Sequence, residues 1–441
     1  MIDFASLVRE GAVEPEPSSN GTGGGVRPAA VGCLRGSTTV AGDKSISHRL
    51  LFFHYLDLVK RGQATPEAFE KRTQAIRGLN DGGAVAASFR AIRALLAEPH
   101  RAVVLDCERS ATTARLLMGA LAGQERRVLI QGAGQLCDRD MTDIVTPIQR
   151  TGCYIEHVNG AGLIPLIIHG SPGILFNPTP KPIHSAQVMT ALQMLSWLLD
   201  RSFNLEPTPG LRDHTEIMLR ALATGDAADV LTRDVPGDPS AAAFLIVAAL
   251  LLPGSELSVT NLCLNPTRTG YLTVLQRMGA DITVEVQAGD GVTSELTGTV
   301  TVRAGAQLRA VDTTADAYPT LVDEIPVLAL LATQAVGTSR FAGLEGLRNK
   351  ESNRLEGLAG KLSDWGADVR VEGDDLVING PAELTLPQFI EYNADHRMQM
   401  LFHVARLVST GVLPEQTPGD YTADSYPGFF QALRLLYLSD D

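Results

Sequence analysis

The sequence lacks the short motifs that mark nucleotide-cofactor enzymes, hydrolytic metalloenzymes and serine hydrolases. It has no GxxxxGK[ST] phosphate loop and no GxGxxG stretch that follows a strand, so nothing supports a nucleotide cofactor. It also has no HExxH, no carboxylate cluster of the metal-binding kind and no GxSxG. Any catalytic site must therefore be built from residues outside these patterns.

Cysteine pairs, net positive charge and long apolar runs are missing too. Five scattered cysteines without a CxxC pair indicate neither a disulfide framework nor a zinc ribbon, and they favour a reducing, cytoplasmic setting. A formal net charge of −13 argues against nucleic acid or an anionic membrane surface as a partner. The longest apolar run, residues 241–253, is too short to span a bilayer and ends in Pro.

The chain is long enough for more than one hydrophobic core. Its 441 residues, 44% hydrophobic and 20% charged, predict a globular protein of two or more domains. Short β-type runs alternate with apolar helical runs, which is typical of an α/β fold. Residues 1–30 are predicted to be a flexible leader because Gly, Ser and Pro are frequent there. The polar stretch 59–77 is predicted to be a surface insertion or a lid.

Six predicted helices share one pattern, a polar or charged start followed by residues that are apolar on most faces. They lie at residues 42–53, 108–121, 184–199, 237–252, 322–336 and 394–408. Their recurrence indicates a degenerate internal repeat, with three units in each domain. Such helices are buried on all sides, and their unpaired first-turn N–H groups form an anion site where several helix starts face one cleft.

A purely structural interpretation of these helix starts stays open. Ser45, Ser110, Ser185 and Ser240 are all of the residue type that caps a helix. Each of them is explained by capping when it is taken alone. Capping explains less well why several of the six starts also carry Arg or Lys.

Charged side chains are concentrated at three further positions. They are Lys350, Glu351 and Arg354 in "NKESNR", Asp395, His396 and Arg397 in "ADHR", and Arg212, Asp213, His214 and Glu216 in "LRDHTE". A solvated charge ladder also fits the first of these groups. Many cations with a few carboxylates and no metal motif predict group transfer between phosphorylated, anionic small molecules, with catalysis by clamping and proton transfer.

Nine stretches occur in the order typical of the enolpyruvyl transferase family, which the chain resembles over nearly all of its length from about residue 31. They are "GDKSISHR", "DCERSATTARLLMG", "SAQV", "RDHTE", "GDPSAAAFLI", "LNPTRTG", "LVDEIPVLA", "LRNKESNRL" and "DHRMQM". The resemblance is closest to the branch of the family that acts on shikimate 3-phosphate.

The resemblance implies an α/β fold of two domains, each with three βαβαββ repeats whose helices are buried inside, as in an inside-out α/β barrel. It implies a discontinuous first domain, residues 31–41 plus 237–441, and a second domain, residues 42–236. Catalysis would follow closure of the two domains over the substrates. No metal and no organic cofactor is implied, and we expect a monomer.

The implied reaction moves the enolpyruvyl group of phosphoenolpyruvate to a hydroxyl of a phosphorylated acceptor, through a tetrahedral intermediate that then loses phosphate. By motif match, the residues expected to bind phosphoenolpyruvate are Lys44, Ala111, Arg139, Gln187, Arg354 and Arg397. Those expected to bind the acceptor are Ser45, Arg49, Ser185, Gln187, Asp323 and Lys350. Lys44, Asp323 and Glu351 are expected to be catalytic, with Glu351 as the main proton carrier.

Several positions depart from the family pattern, and they concern the acceptor more than the reacting centre. The departures are Glu108, Arg109, Ala111, Asp140, Leu211, Gly346 and Asp424. Leu211 and Gly346 replace polar residues near the acceptor, and Asp424 replaces a lysine that binds phosphoenolpyruvate in many members. Three interpretations therefore stay open. The acceptor is shikimate 3-phosphate, or it is another phosphorylated alcohol such as uridine monophosphate in nucleoside-antibiotic synthesis, or the protein is an inactive binding protein that keeps the fold.

Overall fold

A computed structural model describes residues 32–99, 102–173, 182–387, 395–417 and 419–438, and the predicted leader at residues 1–30 lies outside them. The helices are α1 (Lys44–Lys60), α2 (Pro66–Gln74), α3 (Gly83–Ala97), α4 (Ala111–Ala122), α5 (Thr142–Arg150), α6 (Ala186–Leu198), α7 (His214–Thr224), α8 (Ala227–Leu231), α9 (Pro239–Leu251), α10 (Gly270–Arg277), α11 (Ile325–Ala332), α12 (Arg354–Asp364), α13 (His396–Thr410) and α14 (Phe429–Leu436).

The strands are short and alternate with the helices. They are β1 (Cys33–Thr38), β2 (Val103–Asp106), β3 (Arg127–Gln131), β4 (Tyr154–His157), β5 (Leu166–His169), β6 (Glu256–Cys263), β7 (Asp281–Ala288), β8 (Thr297–Arg303), β9 (Asp312–Thr313), β10 (Gly337–Phe341), β11 (Asp368–Glu372), β12 (Asp375–Gly380) and β13 (Tyr437–Leu438). The fold is therefore mixed α/β, as the sequence predicts.

Three sheets have the same strand order and the same strand directions. The orders are β2-β3-β5-β4, β1-β6-β8-β7 and β9-β10-β12-β11, and β13 is added beside β1. In each sheet the first two strands are parallel and the other neighbours are antiparallel. Each sheet belongs to a βαβαββ unit that contains α4, α9 or α11, whereas α1, α6 and α13 are followed directly by further helices in the described part of the chain.

The six apolar helices are buried, as their sequence pattern predicts. Nearly all residues of α9 are buried, and α11 is buried along its whole length. A helix that is apolar on every face gains stability only when neighbouring elements cover all of those faces. In α1 the burial extends to polar residues of the first two turns, including Ser47, His48 and Arg49. Polar residues near the starts of α1 and α9 are therefore enclosed by protein, whereas Ser185 and Gln187 at the start of α6 are half-buried.

Aspartates cap three of these helices. Asp43, Asp238 and Asp395 accept hydrogen bonds from first-turn N–H groups of α1, α9 and α13. The capping interpretation is confirmed for Ser110 at α4 and Ser185 at α6. It is wrong for Ser45 and Ser240, because the aspartate that precedes each of them holds the cap position.

The buried apolar residues form two clusters. One contains residues between 46 and 235 together with Cys263, and it is built on α1, α3, α4 and α6. The other contains Leu34 and residues between 241 and 436, and it is built on α9, α11 and α13. The polar starts of α1, α9 and α13 meet where the two clusters adjoin, since Lys44 N–H donates to Asp238 at 3.0 Å.

The stretch at residues 59–77, predicted to be a surface insertion or a lid, is mostly exposed and is held on the protein by a few buried contacts. This stretch contains the end of α1 and all of α2, and α2 packs on α1 and α3. Phe69 is fully buried against Phe89, with 5.3 Å between the ring centroids, and Arg72 is paired with the buried Asp57. One aromatic side chain and one ion pair therefore anchor an otherwise polar surface helix.

The described residues contain fourteen α-helices. No helix among them combines the length and the apolar character needed to cross a membrane.

Candidate active site

Asp323 lies among cations that come from three distant parts of the chain. Its Oδ2 accepts a hydrogen bond from Nη2 of Arg212 at 2.7 Å, and its Oδ1 lies 3.2 Å from Nε of Arg397 and 3.7 Å from Nη1 of Arg354. Burial by itself raises the pKa of Asp323, but the charges of Arg397, Arg212 and Lys350 hold it well below its ordinary value. Asp323 is therefore an ionised carboxylate.

Glu351 contacts the same buried arginine. Its Oε2 accepts a hydrogen bond from Nη2 of Arg354, and its Oε1 lies 3.8 Å from Nη1 of Arg139. Arg354 also donates to both carboxylate oxygens of Asp395 at 3.1 and 3.2 Å. Burial raises the pKa of Glu351, but Arg354, with Arg139 and Lys44, brings it well below its usual range. Glu351 is thus ionised and can act as a base, and the positive charges around it stabilise its carboxylate.

Two lysines enter this cluster, and neither ammonium has a hydrogen-bond partner among the residues that the structure describes. Lys44 is the first residue of α1, and burial followed by the charge of Arg397 lowers its pKa. Burial lowers the pKa of Lys350 to about 8, although Asp323 opposes this shift. An incoming anion would therefore find two cations that are not yet engaged.

His396, the first residue of α13, lies beside these charges. Its pKa is lowered to about 3 by burial and then by the charge of Lys44, so the imidazole is neutral at neutral pH. Its Nε2 is buried without a hydrogen-bond partner in the described structure. It adds a polar group to the cluster but no positive charge.

Arg49 forms the centre of a second polar region. It donates to Oγ1 of Thr215 at 2.7 Å, to Oγ1 of Thr190 at 2.7 Å and to the carbonyl oxygen of Ser45 at 2.9 Å. None of the ion pairs found among the described residues includes this guanidinium. Burial lowers the pKa of Arg49 to about 10, so it remains a cation at neutral pH. Glu216 and Asp43 act on Arg49 only through their charges, and a buried cation without an ion-pair partner favours an anionic ligand.

The other predicted residues lie at the starts of α1, α4 and α6, which contact one another. Ser45 is in the first turn of α1, Ser185 caps α6, and Ala111 is the first residue of α4. Gln187 joins two of these helices, because its Nε2 donates to Oγ1 of Thr112 at 2.9 Å. Both polar regions therefore include the first turns of α1.

Two of the departures from the family pattern are partners in the structure. Nη2 of Arg109 donates to Oδ2 of Asp424 at 2.8 Å, and its guanidinium lies 4.0 Å from the ring centroid of Tyr421. The neighbouring Glu108 pairs instead with Arg90 on α3. The charges at positions 109 and 424 thus satisfy each other across the boundary between the two apolar clusters.

Three groups of metal-ligand type also converge near the start of α7. Ligand atoms of His214, Cys263 and Glu295 lie within 4.8 Å of one another. Nδ1 of His214 donates to Glu295 at 2.6 Å, since its Nε2 accepts from Arg268 at 3.0 Å. Hydrogen bonds therefore already use both nitrogens of His214 and explain this cluster.

The sequence pattern singles out Arg212 and Asp395 as charged residues but assigns them no role in the site, and it does not include Tyr318. Arg212 and Asp395 stand in polar helix starts that the sequence makes visible, and the cap position of Asp395 was a usable signal. Tyr318 left no signal, because it approaches the cluster from a 3₁₀ segment, Ala315–Thr320, that has no recognisable pattern.

Comparison with known proteins gives consistent matches over nearly the whole chain. Residues 28–433 match the family described as EPSP synthase (3-phosphoshikimate 1-carboxyvinyltransferase). The 3-phosphoshikimate 1-carboxyvinyltransferases of Geobacillus thermodenitrificans and Geobacillus kaustophilus are 34% and 36% identical. Each alignment covers 93% of this chain, and they cover 98% and 99% of those proteins respectively.

Solved structures resemble the fold. The EPSP synthase of Acinetobacter baumannii has a TM-score of 0.68 at 26% identity, with 93% of this chain and 98% of that chain covered. The enolpyruvyl transferase NikO of Streptomyces tendae has a TM-score of 0.56 at 15% identity, with 94% and 98% covered, and it shows likeness of fold alone.

Proposed function

Because the chain belongs to the EPSP synthase family and is a carboxyvinyl transferase, we propose that it transfers the enolpyruvyl group of phosphoenolpyruvate to a hydroxyl of shikimate 3-phosphate. The single observation that carries this proposal is the convergence of predicted catalytic and binding residues in one cluster. Its members are Lys44, Asp323, Lys350, Glu351, Arg354 and Arg397.

Phosphoenolpyruvate is bound by the cations of this cluster in the proposal. Lys44, Arg139, Arg354 and Arg397 surround Glu351 and Asp323, so a ligand with a phosphate and a carboxylate meets several donors at once. Guanidinium groups bind such anions through paired N–H bonds. The backbone N–H groups at the start of α4, at Ala111, add to the attraction.

The acceptor is bound mainly by the region around Arg49. Ser45 and Arg49 are proposed to hold its carboxylate, and Ser185 and Gln187 to contact its phosphate and the transferring group. Arg49 supports this role, since it is buried and none of the ion pairs between described residues includes it. Lys350 is proposed to hold the attacking hydroxyl together with Asp323, where its ammonium is not yet engaged.

Proton transfer is proposed to pass through Glu351, with Asp323 as its partner. The acceptor oxygen bonds to C2 of phosphoenolpyruvate and its proton goes to a carboxylate, while C3 gains a proton and becomes a methyl group. C3 then loses a proton and the C2–O bond to phosphate breaks, which yields the enol ether and inorganic phosphate. Once phosphoenolpyruvate is bound, Arg354 and Arg139 would interact with its anionic groups and stabilise the ionised form of Glu351 less. The pKa of Glu351 would then rise, which favours return of the proton to the substrate.

The proposal includes the remaining expectations from the family. The two apolar clusters would be two domains, residues 42–236 and residues 31–41 with 237–441, that close over the substrates. The three complete βαβαββ units support the repeat architecture, in which six units would form inside-out barrels. Free cysteines fit a reducing cytoplasm. No metal or organic cofactor has a role in the proposed steps.

Another phosphorylated alcohol is the second candidate acceptor. Leu211 and Gly346 bring no polar side chain to the acceptor side, which favours a changed pocket. The test measures phosphate release from phosphoenolpyruvate with shikimate 3-phosphate or uridine monophosphate, with the product mass checked. Turnover and the enolpyruvyl product with shikimate 3-phosphate support the proposal. Turnover with uridine monophosphate alone replaces the acceptor, and no phosphate release with either one contradicts the proposal.

A further inference from the structure

Tyr318 occupies the space in which a side chain at position 346 would stand. A Cβ built on Gly346 would lie 2.4 Å from the hydroxyl oxygen of Tyr318 and 3.1 Å from two of its ring carbons. Gly346 is not among the glycines with positive φ, so its backbone conformation does not require glycine. The tyrosine is therefore the reason why this position has no side chain.

The ring of Tyr318 reaches the charged cluster around Asp323. The charges that act on its hydroxyl are those of Asp323, Arg354, Arg212 and Glu345, and the first three of these also act on Lys350. The 3₁₀ segment that carries Tyr318 ends three residues before Asp323. Its other neighbour is the loop before α7, since a Cβ on Gly210 would contact Pro319 and Thr320 at 3.6 Å.

The hydroxyl of Tyr318 makes no hydrogen bond with any of the residues that the structure describes, and the side chain is only partly buried. Burial and the nearby charge of Asp323 raise its pKa far above neutrality, so it is a proton donor under all physiological conditions. A partly exposed donor of this kind, near the charge of Asp323 that also acts on Lys350, is suited to an oxygen of a ligand.

We propose that Tyr318 is a specificity-determining residue, whose hydroxyl donates a hydrogen bond to an oxygen of the acceptor next to the reacting hydroxyl. Gly346 makes this possible by leaving the space for the ring. This inference rests on the proposed function, since it needs the acceptor to bind between Asp323, Lys350 and Arg49. Tyr318 would supply a contact with the acceptor that the motif residues do not supply. Recognition of the acceptor would then depend on the planar ring of this tyrosine.

The test compares the wild type with Tyr318→Phe, which removes only the hydroxyl. We expect kcat/KM for the acceptor to fall about 3- to 15-fold, as for the loss of one neutral hydrogen bond, while KM for phosphoenolpyruvate changes less than about twofold. The thermal midpoint should stay unchanged, because the ring remains in place. A rise in KM for phosphoenolpyruvate as large as the fall in kcat/KM for the acceptor would overturn the proposal. No fall in kcat/KM for the acceptor would overturn it as well.

A second arm tests the link between Tyr318 and Gly346. Gly346→Ala should lower kcat/KM for the acceptor in the wild type by displacing the ring, and should have little effect in a Tyr318→Leu background, where no ring remains. Gly357→Ala on α12 is the matched control, since nothing lies within 4 Å of a Cβ there. Equal effects of Gly346→Ala in both backgrounds would overturn the proposed pairing.

The wild-type arm keeps this inference separate from the proposed function. Phosphate release is measured with shikimate 3-phosphate and with uridine monophosphate. The kcat/KM of the variant is then divided by that of the wild type for the acceptor that supports turnover. A wild type inactive with both acceptors overturns the proposed function and the inference together. An active wild type with an unchanged Tyr318→Phe ratio overturns the inference alone.

Discussion

The two polar regions of the site are built in opposite ways. In the first region, Asp323, Glu351 and Asp395 each lie against an arginine, and Arg354 pairs with all three. By contrast, Arg49, Lys44 and Lys350 have no ion-pair partner among the residues that the structure describes. The first region is held in place before any substrate binds, whereas the second lacks its counter-charges until an anion arrives. This difference predicts that chemistry and recognition respond differently to substitution.

The largest effect is expected from Glu351→Gln, which removes the base from the paired region. Turnover should fall by about 10²- to 10⁴-fold, because proton transfer through this carboxylate is lost, while binding of phosphoenolpyruvate changes little. Phosphate release and ligand titration measure the two quantities. Glu356→Gln, on the exposed side of α12 where it pairs with Arg348, is the control that should stay near wild type. Near-normal turnover of Glu351→Gln would remove this residue from the mechanism.

Asp395→Ala should cause the largest loss of stability. It removes both the cap of α13 and the partner of a fully buried guanidinium, Arg354, and should lower the free energy of unfolding by about 3–5 kcal/mol. Denaturant unfolding measures the change, with Asp364→Ala at the exposed end of α12 as a nearly silent control. A loss below about 1 kcal/mol would mean that the paired region is not held by this contact.

Lys350→Met should have the opposite effect on stability. Burial lowers the pKa of Lys350 from 10.5 to about 8, so the charged form opposes folding. Below pH 8 the folded and unfolded proteins both carry the proton, and the cost is complete. Between pH 8 and 10.5 the unfolded state binds more protons, so the stability of the wild type rises with pH.

The variant should therefore be more stable than the wild type by about 1–3 kcal/mol at pH 7, and the difference should shrink as the pH rises above 8. Unfolding curves at several pH values measure it, and turnover of the variant should be low. A variant that is less stable at pH 7 would show that Lys350 is paired in the free protein, and the contrast between the regions would fail.

The smallest effect is expected at the ion pair between Arg109 and Asp424. Both side chains are partly exposed, so Arg109→Asp and Asp424→Arg should each cost no more than about 1 kcal/mol, and the double variant should recover part of the loss. Thermal midpoints at low and high salt measure the coupling. A double variant less stable than both single variants would show that these residues do not act as a pair.

The contrast also explains what the sequence predicts well. The six buried helices and the polar starts at Lys44, Asp323 and Arg397 are visible because apolar periodicity and charge at a helix start are local signals. The paired region is assembled from such starts. Local pattern therefore leads directly to the reacting centre.

The acceptor side depends on shape, and shape is not a local signal. Nothing in the sequence links Tyr318 to Gly346, or Arg109 to Asp424, because these pairs form only when separate loops are brought together. The packing of the stretch at residues 59–77 has a related origin, since one buried aromatic, Phe69, anchors a polar helix. Such contacts become visible only in the folded structure.

The most direct test of the account is the mass of the product formed in deuterated water. If Glu351 returns a proton to C3 and C3 then loses one, C3 in the enolpyruvyl group of the product should carry deuterium. The amount of deuterated product should rise in proportion to turnover. Product made from phosphoenolpyruvate and shikimate 3-phosphate with the deuterium confined to exchangeable positions would contradict the proposed addition and elimination at this cluster.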